Sequence, residues 1–178
     1  MELVRDDRLL CSRGTAWVRY EGETEEYDTG KKDEQQKPVM GSRKKGEKVC
    51  FEFVHWNDFG HSMHRTWPEV TMVWRRVYMT KALVRKRWDK EIADKLHYEV
   101  RQQLQGNTGD GKDATEPQAI IHEIWDKDRK RVCWLAKEEK LKLEDGEPPL
   151  DLRGFFPCPK PVYGSKATGS LIPTPDYR

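Results

Sequence analysis

The sequence predicts an α+β fold: a mixed or antiparallel sheet with one or two packed helices, a β-hairpin and an extended, proline-rich C-terminal arm. Three observations carry this. Apolar and polar residues alternate with a period of two in separate stretches, as strands half buried in a sheet require. At Thr80 the period lengthens to about 3.6, the repeat of a helix. From Gly154 to Arg178 there are five prolines, which remove backbone donors and fix φ, so that this stretch is neither a regular helix nor a central strand.

Thr15 to Glu21, "TAWVRYE", sets Trp17 and Arg19 against Ala16, Val18 and Tyr20 and reads as the first strand. Residues 21–47 then lose all periodicity. An acidic part, "EGETEEYD", precedes a basic one, "KKDEQQKPVMGSRKKGEK", and the whole is expected to be a long, variable, exposed loop or a hairpin tip. Alternation returns in "KVCFEFVHW", giving a second strand over Val49 to His55. The β-branched and aromatic content of "VTMVWRRVYM", Val70 to Met79, gives a third, expected to pair with one of the first two in a single sheet.

Thr80 is a good N-cap for Lys81 to Gln105, which contains no Gly or Pro. The expected helix packs through Val84, Trp88 and Ile92, with a break near Asp89. Residues 106–118 read as a glycine-containing linker. Ala119 to Trp125 and Arg131 to Lys137 alternate on either side of the polar turn "DKDRK" and read as a hairpin. The chain divides into an α+β domain over 1–153 and an arm over 154–178.

Composition limits the functional classes. Of the 178 residues, 35% are hydrophobic and 36% charged, which leaves a small core and much surface. Basic and acidic residues number 33 and 31, too balanced for a strongly basic nucleic-acid-binding module. The four cysteines lie far apart without a CxxC pair and are expected to be reduced, in a cytoplasmic setting. Neither a leader nor an apolar run of membrane-spanning length is apparent.

Asp58, His61 and His64 in "DFGHSMH" match the spacing of a His-His-carboxylate metal site. Gly60 and Pro68 argue against the helix that would bring them to one face, so the sequence favours a loop held by hydrogen bonds, with no cofactor. Cys50 with His55, or Cys133 with His122, would suit a thiol enzyme, but neither lies in a nucleophile turn. "GDGKDAT" lacks the spacing of a phosphate loop. The basic runs "RKRWDK" and "SRKKGEK" give only a weak signal for phosphate contact. These residues do not point to an enzyme.

Three stretches taken in order, "FVHWNDFGHSMHRTWPEVTMVWRRVYMTKALVRKRW", "EIWDKDRKRVCWL" and "LDLRGFFPCPKPVYGSKATGSLIPTPDYR", resemble consecutive signatures of tailed-bacteriophage portal proteins of the large podovirus and prophage type. "RLLCSRGTAWVRYEG" is similar to a glycine-containing strand that precedes them. The match falls on the wing and the approach to the stem. The resemblance implies a structural subunit, or a fragment of one, in a homo-oligomeric ring, dodecameric in the family, at one capsid vertex. Double-stranded DNA is packaged and ejected through such a ring.

The partners implied are the terminase, capsid or scaffold proteins and head-tail connector proteins, in the virion and, during assembly, the host cytoplasm. On this reading the arm leads toward a stem, and Phe155, Phe156, Tyr163, Leu171 and Ile172 are its interface residues. Its first half is expected to dock on the domain, with the last ten or so residues loose or held by another chain. The competing expectations are a small metal-dependent hydrolase or nuclease using Asp58, His61 and His64, and an independent wing-like adaptor.

Overall fold

The computed structural model describes residues 2–32, 38–100, 116–138, 140–149 and 151–175. In chain order the elements are α1 (Glu2–Cys11), β1 (Arg13–Lys32), β2 (Pro38–Val54), β3 (Phe59–His61), β4 (Met72–Thr80), α2 (Lys81–Arg87), α3 (Lys90–Lys95), β5 (Gln118–Asp126), β6 (Arg131–Ala136), β7 (Leu141–Gly146), β8 (Val162–Tyr163), β9 (Ser165–Lys166) and β10 (Pro173–Thr174). Single turns of 3-10 helix at Trp56–Asp58 and Trp67–Glu69 flank β3. The fold is α+β with antiparallel sheets, as the sequence predicts.

The largest sheet has the order β3-β4-β5-β6-β7. Burial alternates along β5, with Ala119, Ile121, Glu123 and Trp125 turned inward. The β4 register sets Val73, Arg75, Val77 and Met79 opposite those four, so one face of the sheet forms the floor of the core. Val84 of α2 and Ala93 of α3, both fully buried, join the same core. The expected hairpin is present as β5 and β6, paired from His122 with Leu135 to Asp126 with Arg131.

Four expectations need correction. Residues 21–47 take the hairpin alternative and are largely not a loop: β1 and β2 continue outward as a two-stranded ribbon in which Glu23 lies opposite Lys45, Glu25 opposite Arg43 and Asp28 opposite Met40. Periodicity vanishes there because the described side chains are mostly exposed, and charge pairs across the strands take the place of a buried stripe. The tip, 33–37, lies outside the described residues.

The third strand does not join the first two. It pairs with β3 and β5, while β1 and β2 form a separate sheet with β8 in the order β2-β1-β8. Alternation reports that a strand has one buried face and does not say which strand lies beside it.

The helix expected over Lys81 to Gln105 is two short helices. Thr80 Oγ1 accepts from Leu83 N at 3.4 Å and starts the first. Asp89 Oδ1 accepts from Ile92 N at 2.7 Å and starts the second, at the expected break. Beyond Lys95 the chain is extended, and Glu99 exchanges two backbone hydrogen bonds with Gln118. That bridge takes up the backbone groups a continuing helix would use. Residues 101–115, with most of the expected linker, lie outside the described residues.

The last correction concerns the arm. Phe155 stacks edge-on against Trp125 with ring centroids 5.7 Å apart, and Phe156 against Trp67 at 6.0 Å. Val18 N donates to Pro157 O at 2.6 Å, so the arm extends the edge of β1. The docked first half is therefore as expected. Leu171, however, is only 2% exposed, and β9 and β10 pair just around it. A large aliphatic side chain whose burial is worth about 1.5–3 kcal/mol is not left loose when the chain's own core is within reach. Ile172 is exposed, and 176–178 lie outside the described residues.

Candidate functional site

The two sheets meet along a seam built from residues that sequence periodicity places on inward-facing strand positions. Trp17 of β1, 1% exposed, lies under the Arg75 guanidinium, 4.6 Å from ring centroid to Cζ. Arg75 Nε donates to Glu123 Oε2 and Arg75 Nη1 to Glu52 Oε2, both at 2.7 Å. Glu123 Oε1 accepts from Trp125 Nε1 at 2.9 Å, and Glu52 Oε1 pairs with Arg19 at 2.8 Å. The seam thus joins β1, β2, β4 and β5 through one chain of charges in which each carboxylate has two partners. Buried charge is tolerated on these terms alone.

The seam borders a cavity of about 490 Å³ whose walls include Trp17, Arg75, Glu123 and Trp125 together with Trp134, Arg87, Glu144 and Leu152. Arg87 lies 3.9 Å over the Trp134 ring and bonds Glu144 at 3.1 Å; Trp88 Nε1 donates to the same carboxylate oxygen at 3.2 Å. Arginine stacked on tryptophan and held by a carboxylate is the chemistry of a packing and recognition surface. Arg75, Glu123, Arg87 and Glu144 are thus all paired within the chain.

The structure does not gather Asp58, His61 and His64 about a common point. Asp58 Oδ1 accepts from Tyr78 OH at 2.5 Å and Arg76 Nε at 2.9 Å. On β3, His61 Nδ1 lies 2.9 Å from Ser62 O, and its Nε2 lies 3.3 Å from Tyr163 OH. Burial holds the His61 imidazole below its usual pKa, and the nearby Arg13 cation adds to the effect. His64 is half-buried on the loop beyond. Among the described residues, no three His, Cys, Asp or Glu side chains are placed to hold a metal ion.

Three thiols are held toward the protonated form. Burial pushes the Cys158 thiol up to about 12, and raises those of Cys133 and Cys11. Cys133 shares a sheet face with His122, since His122 lies opposite Leu135 and Ile124 opposite Cys133. A thiol raised by burial is a poor nucleophile.

No protein-family model matches this chain, and neither does any curated protein. Of the seam's members, Arg75, Glu123 and Glu52 stand out only after the fold is known, although one signal was present: each is a charged residue in the inward phase of an otherwise apolar strand. Among the expected interface residues, Phe155, Phe156 and Tyr163 are half-buried against the core and Leu171 is buried, whereas Ile172 faces outward.

Proposed function

We propose that this chain forms the wing-like part of a portal subunit, a structural element of the ring at the capsid vertex through which double-stranded DNA is packaged and ejected. One observation supports the reading: the three stretches that carry the resemblance, far apart in sequence, meet in a single seam. Arg75 of the first pairs with Glu123 of the second, and Trp125 of the second stacks on Phe155 of the third. Residues kept together in that way serve as scaffold, and their side chains bond one another in preference to facing a substrate. On this reading the partners are further copies in a ring, the terminase, capsid or scaffold proteins and head-tail connector proteins, and the protein resides in the virion after assembly in the host cytoplasm.

Leu171 favours a second reading, an independent wing-like adaptor whose arm closes on its own domain. Particle state separates the two. Expressed from its complete reading frame, the protein is expected to give closed rings with a central channel in negative-stain electron micrographs. Uniform monomers by mass photometry at micromolar concentration overturn the portal reading and leave the adaptor.

A further inference from the structure

The β1–β2 ribbon is far longer than its own core requires. Its strands run 20 and 17 residues, against a usual five or six. Among the described residues, the arm covers the outer edge of β1 at Arg13, Gly14 and Val18, all at the base of the ribbon, and the sheet order leaves β2 with no strand on its outer side. Two long open edges are templates for further pairing.

The edges differ in charge. Past Tyr20, β1 carries Glu21, Glu23, Glu25, Glu26 and Asp28 before its two terminal lysines. Alongside them β2 carries Arg43, Lys44, Lys45 and Lys48, with Glu47 as the one acid between Met40 and Lys48, and that carboxylate is taken by Tyr20 OH. Edges guarded against pairing carry one sign of charge and repel copies of themselves. These carry opposite signs.

We propose that the ribbon is a head-to-tail self-association element, in which the acidic edge of β1 in one copy pairs with the basic edge of β2 in the next. A two-fold arrangement brings β1 against β1 or β2 against β2 and sets like charges side by side, which is unfavourable. Head-to-tail pairing gives every acidic strand a basic strand on both sides. It also keeps all ribbons pointing the same way while continuing the antiparallel ladder, because β1 runs outward and β2 returns. Such a heterologous contact closes into a ring or grows as a filament, according to the angle between copies. The inference takes from the portal reading only the second copy as partner, and rests otherwise on the ribbon itself.

Mass photometry and light scattering on the full chain test it through paired charge reversals. E25K/E26K makes both strands basic, and R43E/K45E makes both acidic. Each variant alone is expected to need at least ~10-fold more protein for half association than the unaltered chain, and an equimolar mixture is expected to restore association as alternating copies. Restoration in the mixture cannot come from misfolded variants. Raising salt from about 0.05 to 0.5 M weakens both assemblies. An unaltered chain that stays monomeric at low salt, or reversals without effect, or a mixture that does not associate, overturns the proposal. Rings from the complete reading frame that survive both reversals sink the ribbon inference and leave the portal reading standing. Ribbon-dependent association without a channelled ring does the opposite.

Discussion

Arg75 Nε and Glu123 Oε2 lie 2.7 Å apart where the two sheets meet, with side chains only 12% and 6% exposed. Removing one member of so dry a pair strands the other. Glu123→Leu is expected to lower the unfolding free energy by about 3 kcal/mol, while Arg75→Met with Glu123→Leu loses less than the two single changes together. Glu52 keeps Arg19 as a partner in the double variant. Urea unfolding of the four proteins, followed by tryptophan fluorescence, measures the coupling.

The caps at Thr80 and Asp89 each satisfy a backbone donor at the start of a short helix. Thr80→Ala and Asp89→Ala are each expected to cost about 1 kcal/mol, and Asp89→Asn only a fraction of that. The midpoint of urea unfolding, with an unchanged slope, is the readout.

Gly60 faces the ring of Trp74 on the neighbouring strand so closely that an added methyl would sit 2.3 Å from it. Backbone and indole cannot both stay where they are. Gly60→Ala is expected to destabilise by about 1–3 kcal/mol. Thermal unfolding compared with Gly146→Ala, where the added atom meets nothing, separates this clash from a general effect of losing glycine.

In the arm, Leu171→Ala removes a buried side chain and is expected to cost about 2–5 kcal/mol, whereas the exposed neighbour Ile172→Ala costs under ~0.5 kcal/mol. Hydrogen exchange at the Ala167 amide, which donates to Ile172 O at 3.1 Å, is expected to accelerate in the first variant only.

Stability is expected to fall on acidification. His61 has its folded pKa held below the ordinary value by burial, so the folded state binds a proton less readily than the unfolded one. The contribution is fully present above the unfolded pKa near ~6.5 and is lost as pH falls through the lower folded value. His122, depressed in the same direction by burial, adds to the slope. His61→Gln is expected to flatten the dependence of urea midpoint on pH below neutrality; an unchanged slope means that His61 does not take part.

Local chemistry was legible where one face of an element is buried. Thr80 as a cap, the break at Asp89 and the β5–β6 hairpin follow from periods and cap residues that lie within a few positions of one another. What was not legible depends on residues distant in sequence. Nothing near Val70 to Met79 says that its neighbours are β3 and β5. The α1 helix, the short β3 and the strand β7 lack a clean period, because Leu3, Leu9 and Leu10 are exposed and β7 is only partly buried. The ribbon had its own signal, an acidic block followed at hairpin distance by a basic one, which periodicity does not register. The seam was visible only as charges in the wrong phase: Glu52, Arg75 and Glu123 become partners once β2, β4 and β5 converge.

The hydrogen bond from Val18 to Pro157, with Leu171 sealed beneath the same core, also sets a timetable for synthesis. Trp17 is synthesised long before Leu171, which shares its core, a gap of roughly 8 to 30 s at ordinary elongation rates. During that interval the β1–β2 hairpin has strands but no floor, and the larger sheet, once translated, lacks its lid. The core therefore stays incomplete until the arm through Leu171 has been made, and until then its apolar faces remain open to solvent.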